Sequence, residues 1–262
     1  MTEIAIENGE PILRTEVRGN VLVIELNRPH AKHAFHGALA RALAETLDRF
    51  DEERALSVAV LTGSQQTFSS GQDLKALLQG DRGHHEKRGG FGIMKRPPDK
   101  PLIAAVEGYA VAGGFELALS ADLIVAARDA KFGLPEVKRG LVAVGGALFR
   151  LPRRIPYHVV MEMALTGELY AAERMRELGL VNRIAEPGTA LEAALELAST
   201  IAENGPLALR ATKQILFRSN EWSDEEGWAA QMQYAGPAFK SEDAKEGPRA
   251  FAEKRKPIWR GV

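Results

Sequence analysis

Two of the three glutamates in a mostly apolar stretch between residues 106 and 136 are placed where a carboxylate could act on a substrate. Glu116 follows the pair Gly113 and Gly114, which opens a predicted helix. Glycines let a ligand approach the backbone closely, and the first amides of a helix carry partial positive charge. Glu136 follows a proline in the segment FGLPEVKRG. The stretch therefore offers two carboxylates and exposed amides for chemistry.

A second glycine-containing turn precedes this stretch. In FSSGQDL, Gly71 leads into a short predicted helix, whose first amides have no partner within the helix. Such amides can bind an anion or a polarised carbonyl oxygen, although plain strand-to-helix turns have the same composition. Each glutamate also has an ordinary interpretation. Glu116 could complement the dipole of its own helix, and Glu136 could form a surface ion pair with Lys138 or Arg139.

Together, the two turns and the two glutamates indicate one site. Each turn can donate one amide to the same oxygen, and the carboxylates can flank the reacting group. This is an oxyanion hole with an acid–base pair, which suits a carbonyl compound that develops negative charge on its oxygen. A thioester that forms an enolate is one such compound. The chain has no cysteine, and neither turn has the G-x-S-x-G pattern of a serine nucleophile.

The elements that must carry these residues alternate between strands and helices. Apolar alternation predicts a hairpin over ILRTEVRG and NVLVIELNRP, and helical spacing predicts an amphipathic helix in HGALARALAETLDRFDEE. Strands are predicted in LSVAVLTG, PLIAAVEG and DLIVAA, with a helix in GGFELALSA. This order favours a layered α/β fold with crossover helices from Asn20 to about Glu136. The polar, glycine-rich segment 80–100 is predicted to be a mobile loop with some helical content.

The pattern changes after about Val144, where helices dominate. Glycine-terminated helices are predicted in IPYHVVMEMALTG and AAERMRELGL, followed by a short strand in LVNRIAEPG and four largely helical segments. We predict a boundary at Gly205 and Pro206, which divides the chain into a core of residues 1–205 and a helical region of residues 206–262. The segment RLPRRIP is interpreted as an exposed basic turn.

Composition limits the classes of function. The chain has 262 residues and a formal net charge of −1, so it can bury a core and lacks the basic footprint of a nucleic-acid-binding protein. Without cysteine, and with His84, His85 and His158 lacking a spaced acidic partner, it is predicted to bind no metal. Signal-peptide and membrane-span patterns are missing, so we expect a cytoplasmic protein without membrane contact.

The chain resembles the crotonase, or enoyl-CoA hydratase/isomerase, superfamily along nearly its whole length. The resemblance rests on LNRPHAKHAF, FSSGQDLKAL, the long run from Lys100 to Val142, and AFAEKRKPIW. It implies an α/β core of repeated ββα units coiled into a superhelix, with a C-terminal helical region that builds a homotrimer or a hexamer of two trimers. It also implies acyl-CoA thioester substrates and no cofactor, since coenzyme A enters as part of the substrate.

The same resemblance assigns the site residues. The oxyanion donors of the family correspond to the amides of Gln72 and Gly113, and its two catalytic glutamates correspond to Glu116 and Glu136. Hydratases of the superfamily keep both glutamates, whereas many other members keep one or neither. The resemblance implies that Glu116 orients and activates water and that Glu136 exchanges a proton at the α-carbon of the substrate.

The implied coenzyme A contacts fall in two places. Asp73, Leu74 and Lys75 match the segment that contacts coenzyme A, and Lys75 is able to reach a phosphate or the adenine. Phe251 and Lys254 match residues that approach coenzyme A bound to a neighbouring subunit, although Lys254 also fits a solvated run of charge.

Two positions depart from the family pattern. His33 stands where the family often has asparagine, and the change is expected to affect the loop beside the coenzyme A segment. Val144 stands eight residues after Glu136, where mitochondrial hydratases have a glycine whose amide touches the water. The amide survives this exchange, in a pocket that is expected to be bulkier.

The sequence predicts an enoyl-CoA hydratase, which adds water to a trans-2-enoyl-CoA to give a 3-hydroxyacyl-CoA in the breakdown of fatty acids or related acyl groups. An enoyl-CoA isomerase or a specialised dehydratase of the carnitinyl-CoA type is the alternative among enzymes, and FGLPEVKRGLV fits either. A non-catalytic acyl-CoA-binding protein is the alternative outside enzymes. The presence of both glutamates argues against it.

Overall fold

Strands and helices alternate as far as residue 185, and the chain is helical beyond it. A computed structural model describes residues 5–64 and 66–262; residues 1–4, part of the N-terminus that lacks a signal-peptide pattern, lie outside the described residues. In chain order the strands are β1 (Ile6–Glu7), β2 (Glu10–Pro11), β3 (Leu13–Arg18), β4 (Val21–Leu26), β5 (Val58–Gly63), β6 (His84–His85), β7 (Gly89–Gly90), β8 (Leu102–Val106), β9 (Tyr109–Val111), β10 (Leu123–Ala127), β11 (Lys131–Gly133), β12 (Tyr170–Ala171) and β13 (Arg183–Ala185).

The helices lie where helical spacing and glycine or proline boundaries predict them, apart from the short turn α4. They are α1 (Gly37–Glu52), α2 (Leu74–Leu78), α3 (Gly113–Ala118), α4 (Ala147–Arg150), α5 (Tyr157–Thr166), α6 (Ala172–Glu177), α7 (Ala190–Ala202), α8 (Pro206–Arg218), α9 (Asp224–Phe239) and α10 (Asp243–Ala252). A 3₁₀ turn over Pro135–Arg139 carries Glu136. No helix of the described ranges combines the length and hydropathy that a membrane crossing requires.

The main sheet has six strands in the order β13-β10-β8-β5-β4-β3. Strands β3 and β4 form the predicted antiparallel hairpin, and the other neighbours are parallel. Every residue of β5 and β8 is buried, as expected for strands covered on both faces of a parallel sheet. Helix α7 packs across β5, β8 and β10 through alanines at four-residue spacing, which allow a close approach. These are Ala190, Ala194, Ala198 and Ala202.

A second, three-stranded sheet has the order β12-β11-β9, with β9 and β11 parallel. Strand β8 of the main sheet leads to β9 and then to α3, and β10 leads to β11 and then to helical residues. The repeated unit of two strands and a helix is therefore present, and the α/β prediction is confirmed. The strands of the second sheet are two or three residues long, too short for alternation to reveal them.

The segment 80–100 differs from its prediction. It contains no helix; β6 and β7 pair in an antiparallel arrangement, and the side chain of Arg88 is fully buried. Arg88 donates to the carboxylates of Asp48 at 2.7 Å and Asp51 at 3.1 Å, so a charged residue of a polar segment becomes part of the interior. The interpretation of RLPRRIP as an exposed turn is also wrong for three of its residues, since Arg150, Leu151 and Ile155 are buried.

The C-terminal helices begin at Pro206, the position of the predicted boundary. Helix α8 is tied to the sheet by Lys213, whose ammonium lies 2.7 Å from Asp122 and donates to the carbonyl of Lys100. Helix α9 packs on α8 and α10, and no residue of α9 is buried within the single chain. The division into a core and an oligomerisation region stays a prediction.

Candidate active site

The two glycine-containing turns lie against each other. A Cβ atom added to Gly71, which has φ +95°, would lie 2.8 Å from the backbone nitrogen of Gly113. The residue before Gly113 is Ala112, which has φ 52° and ψ −132°. Residues other than glycine rarely adopt this backbone conformation, and such strain persists only where the surrounding structure imposes it. The folded chain therefore places the segments of Gln72 and Gly113 side by side, as the sequence predicts.

The amides of Gln72 and Gly113 have no protein acceptor among residues 5–64 and 66–262. Gly113 is the first residue of α3, so its amide has no carbonyl to bind within the helix. The amide side chain of Gln72 points elsewhere, because it donates to the carbonyls of Asp73 and Asp81 at 3.2 and 3.1 Å. Two neighbouring backbone N–H groups thus remain available to one oxygen atom.

Both glutamates follow adjacent parallel strands of the second sheet. Val111 at the end of β9 pairs with Gly133 at the end of β11, and the amide of Ala112 donates to the carbonyl of Gly133 at 2.9 Å. The chain then continues on the same edge of the sheet into α3, with Glu116, and into the 3₁₀ turn, with Glu136. Parallel pairing explains why residues twenty positions apart reach one site.

Glu116 is buried, with only 4% of its surface exposed. Its Oε1 accepts a hydrogen bond from the amide of Ala147 at 3.1 Å. Burial raises the pKa of Glu116, while hydrogen bonds from the amides of Ala147, Gly145 and Gly146 and the charge of Arg150 oppose that increase. The carboxylate therefore binds the start of α4, a different element, so complementing the dipole of its own helix is not its only interaction.

Within residues 5–64 and 66–262, Glu136 forms no ion pair with a neighbouring cation. Its Oε2 is buried and has no hydrogen-bond partner among the described residues, whereas Lys138 pairs with Glu168 at 2.8 Å. Burial raises the pKa of Glu136 to about 7, and the negative charge of Glu116 adds to the increase. An unpartnered carboxylate oxygen in a buried position is unfavourable unless it is protonated or meets a ligand.

The two carboxylates have unequal environments. Glu116 has amide donors and a nearby cation that favour its ionised form, and Glu136 has neither beyond its own amide. Because the charge of Glu116 disfavours ionisation of Glu136, a proton held by the pair is expected mainly on Glu136. The arrangement can therefore supply one base and one acid at the same time.

Apolar side chains from the segment 80–100 border these groups, and sequence analysis did not single them out. The ring of Phe91 would contact a Cβ atom on Gly113 at 2.7 Å, and it stacks on Phe35 with 4.3 Å between ring centroids. A Cβ atom on Gly145 would lie 2.5 Å from both Glu116 Oε2 and Met94 Sδ, so these two atoms are at most 5.0 Å apart. Phe91 therefore borders Gly113 and Met94 borders Glu116, and the glycine-rich run around them was the available signal.

One part of the predicted coenzyme A segment is held by protein contacts, and another part is free to contact a ligand. The Asp73 carboxylate caps α2 by accepting from the amides of Lys75 and Ala76, and it pairs with the buried Arg28 at 3.2 Å. Its carboxylate is therefore occupied by protein groups. Leu74 and Lys75 are exposed at the start of α2 and remain free for a ligand. No cluster of metal-ligating side chains is found in the part of the chain that the structure describes.

The other predicted coenzyme A residues are not brought to the glutamates within one chain. Phe251 is 88% exposed on α10, and Lys254 follows the helix in an exposed position. The chain contacts that we find for α10 are with α9 and with the C-terminal tail, including a pair between Glu246 and Arg255. A contact from a neighbouring subunit remains a prediction for both residues.

His33 and Val144 have clear structural positions. Nδ1 of His33 accepts from the amide of Arg28 at 3.0 Å, so the ring proton lies on Nε2, which donates to the carbonyl of Ser64 at 2.8 Å. Burial lowers the pKa of His33, so this neutral form is favoured. The imidazole therefore joins two loops beside the coenzyme A segment. Val144 is 87% exposed, so its side chain does not crowd the glutamates within one chain. This position differs from the bulkier pocket that the sequence predicts.

Comparisons with known proteins agree with this geometry. A family model described as enoyl-CoA hydratase/isomerase matches residues 16–262. The crystal structure of enoyl-CoA hydratase EchA1 from Mycobacterium marinum is similar with a TM-score of 0.94 and 56% identity, covering 97% of this chain and 100% of that chain. Enoyl-CoA hydratase EchA19 from Mycobacterium tuberculosis is 40% identical over 259 residues, which is 96% of this chain and 97% of the relative.

A relative with a different named activity is equally similar in sequence. Carnitinyl-CoA dehydratase from Salmonella typhi is 41% identical over 251 residues, which is 93% of this chain and 96% of the relative. The family match, the extent of these similarities and the shared α/β architecture all agree. The chain belongs to the enoyl-CoA hydratase/isomerase family.

Proposed function

We propose that the protein is an enoyl-CoA hydratase that adds water to a trans-2-enoyl-CoA and forms a 3-hydroxyacyl-CoA. The observation that carries the proposal is the presence of two carboxylates in unequal environments, Glu116 buried and Glu136 half-buried, beside two amides without an acceptor among the described residues. Hydration needs a base for water, an acid for the α-carbon and a stabilised enolate between the two transfers. The site offers a group for each of these tasks.

The amides of Gln72 and Gly113 would hold the thioester oxygen and stabilise the enolate. Glu116, in its ionised form, takes a proton from water as the water oxygen bonds to the β-carbon. The electron pair of the double bond moves toward the thioester oxygen, and Glu136 then delivers its proton to the α-carbon. After these steps Glu116 holds a proton taken from water, and Glu136 has lost its own. Proton exchange with solvent restores both groups, so the net reaction adds one water molecule to the double bond. One amide donor is typically worth about 10²–10³ in rate.

The proposed substrate is bound through its coenzyme A part at the start of α2. Lys75 is exposed there and would pair with a phosphate or contact the adenine. Leu74 is half-exposed and would contribute apolar surface, whereas Asp73 holds the segment in shape through Arg28. Phe251 and Lys254 would complete the site from a neighbouring subunit. We propose no further cofactor, because coenzyme A arrives with the substrate.

The proposed assembly is a homotrimer, or a hexamer of two trimers. Helices α9 and α10 expose large apolar side chains that one chain leaves uncovered, which is unusual for a monomer. The exposed side chains are Trp228, Met232, Phe239 and Phe251.

We propose that the protein acts in the cytoplasm, in the breakdown of fatty acids or related acyl-CoA compounds. No nucleic-acid or membrane partner is proposed for it.

A carnitinyl-CoA-type dehydratase is the second candidate. It is supported by the 41% identity to the dehydratase from Salmonella typhi, which is close to the 40% identity to the hydratase EchA19. The same pair of carboxylates could remove water from a hydroxyacyl-CoA by the reverse steps. An isomerase is less favoured, because moving a double bond requires one carboxylate to shuttle a proton and the site has two.

Crotonyl-CoA hydration tests the proposal directly. The ultraviolet absorbance of the conjugated enoyl thioester should fall when the protein is added, and the 3-hydroxyacyl-CoA product should appear in equal amount. Parallel assays with a 3-enoyl-CoA and with carnitinyl-CoA would rank the alternatives by kcat/KM. Tight binding of crotonyl-CoA with no loss of absorbance would contradict the proposal and indicate a non-catalytic binding protein.

A further inference from the structure

Helix α4 holds Glu116 from two directions. Its first residue, Ala147, donates its amide to the Glu116 carboxylate at 3.1 Å. Its last residue, Arg150, donates Nη1 to Ser120 Oγ at 3.1 Å, and this hydroxyl donates to the main-chain carbonyl of Glu116 at 2.9 Å. One short helical turn therefore contacts the side chain of the glutamate directly and its backbone through one hydroxyl.

The guanidinium of Arg150 also contacts the opposite wall. Its Nη2 donates to the main-chain carbonyl of Met94, the residue whose sulfur borders Glu116. Arg150 is buried, with 9% of its surface exposed, and it packs beside Gly146, where a Cβ atom would lie 3.0 Å from Nη1. A planar fork can reach two acceptors that lie in different directions, which the single ammonium of a lysine cannot reproduce.

Arg150 is also the cation that faces Glu116. Glu136 faces the same carboxylate with a like charge, and Arg154 faces Arg150. Burial lowers the pKa of Arg150 to about 10, so the guanidinium keeps its charge at neutral pH. Loss of this charge would leave Glu116 with amide donors only and would favour its protonated form.

We propose that Arg150 is a positioning residue that fixes helix α3, and with it the Glu116 carboxylate, to the Met94 wall of the site. This role rests on the proposed hydratase function, in which Glu116 must be ionised and correctly directed at water. Arg150 itself touches no reacting atom. Its contribution is the orientation of the base, and a displacement of about 1 Å can cost on the order of 10² in rate.

Three variants separate the fork from the charge. Arg150→Met removes both, Arg150→Lys keeps the charge without the fork, and Ser120→Ala cuts only the link to α3. Arg153→Met is the matched control, because it removes an exposed cation three residues away. Crotonyl-CoA hydration gives kcat, KM and the pH profile, and hydrogen exchange of the peptide 88–96 reports the wall independently of activity.

The expected result is a fall in kcat of ~10–100-fold for Arg150→Met with KM changed less than about 3-fold, because coenzyme A is bound elsewhere. The acidic limb of the pH profile of this variant should move to higher pH, and hydrogen exchange of the peptide 88–96 should be faster. Arg150→Lys should keep the limb near its wild-type position but recover only part of kcat. Ser120→Ala should lower kcat by a few-fold, and Arg153→Met should leave all four readouts unchanged.

Wild-type kcat in both Arg150 variants would overturn the proposal, as would a loss of kcat with unchanged exchange and an unchanged acidic limb. If Arg150→Met does not fold, Ser120→Ala and Arg150→Lys decide, and wild-type kcat in both rejects the role. An inactive wild-type protein would reject the hydratase function alone, since hydrogen exchange would still show whether Arg150 holds the wall.

Discussion

The backbone nitrogen of Gly113 lies so close to Gly71 that a methyl group on Gly71 would come within 2.8 Å of it. Gly71→Ala should therefore separate the two amides of the proposed oxyanion hole and lower kcat for crotonyl-CoA hydration by ~10²–10³-fold. Gly80→Ala is the matched control, since Gly80 has a similar φ of +88° and no atom within 4 Å of an added Cβ. Equal losses of kcat in the two variants would mean that backbone strain alone explains the effect.

Glu116 and Glu136 should act as a unit. Replacing either by glutamine should lower kcat by ~10²-fold or more, the usual scale for a positioned acid or base. The double variant should fall well short of the ~10⁴-fold product, because residues that serve one step are not additive. Affinity for a saturated acyl-CoA should change little, as the amides remain. Full hydratase activity in Glu136→Gln would refute the mechanism, and one silent variant with a 3-enoyl-CoA would favour the isomerase.

The raised pKa of Glu136 should appear in the pH dependence of stability. The folded state holds this proton up to about pH 7, whereas the unfolded state releases it near the ordinary value of 4.5. The contribution of Glu136 to the free energy of unfolding is therefore present below pH 4.5 and lost as pH rises to about 7. Glu136→Gln, which cannot ionise, should be more stable than wild type by ~1–3 kcal/mol at pH 8 and similar at pH 4.

Urea unfolding at several pH values measures this difference. Glu168→Gln is a suitable control, because Glu168 is an exposed carboxylate that pairs with Lys138 of the 3₁₀ turn that carries Glu136. A constant difference between Glu136→Gln and wild type from pH 4 to pH 8 would show that Glu136 does not titrate in the way proposed.

Lys75 should affect the binding of coenzyme A and not the chemical step. Lys75→Ala should raise KM for crotonyl-CoA by ~3–10-fold with little change in kcat, because an exposed charge-assisted contact to the nucleotide is lost. Crotonyl-pantetheine, which has the same acyl thioester and no nucleotide, should show no difference between the variant and wild type. A larger fall in kcat than rise in KM would count against the assignment.

The exposed apolar side chains of α9 and α10 predict self-association. Analytical ultracentrifugation at micromolar concentration should show a trimer or a hexamer. Trp228→Glu, at a position 74% exposed in the single chain, should shift the distribution toward smaller species, whereas Lys240→Glu at the end of α9 should not. A stable monomer of the wild type at that concentration would reject the predicted assembly.

Much of the fold could be predicted because local patterns and long-range packing agree. The apolar run in β5 and the spacing of Leu39, Leu43 and Leu47 in α1 are dictated by the same burial that the structure shows. The grouping of the two glycine-containing turns with Glu116 and Glu136 was predicted from the chemistry that they could share, and the resemblance assigned the amides of Gln72 and Gly113. Nothing local in the sequence shows that β9 and β11 pair in parallel.

Other features could not be predicted because their partners are distant in sequence. Arg88 stands in a polar run typical of a loop, and it is buried by carboxylates about 40 residues earlier. Arg150 stands among three arginines of a basic turn, and no local signal distinguishes the one whose guanidinium reaches Ser120 and Met94. Burial of a charge depends on contacts that form only in the folded chain.

The contact between Glu116 and Gly145 couples the evolution of the two positions. Since the carboxylate occupies the space of a side chain at 145, glycine is required there for as long as residue 116 is a glutamate in this orientation. A homologous chain with a smaller residue in place of this acid would lose that contact, and it could carry alanine at 145 if residue 94 also left room, because Met94 Sδ would lie at the same 2.5 Å. The residue at 145 would then be a sequence marker of whether the base is present, readable without a structure or an assay.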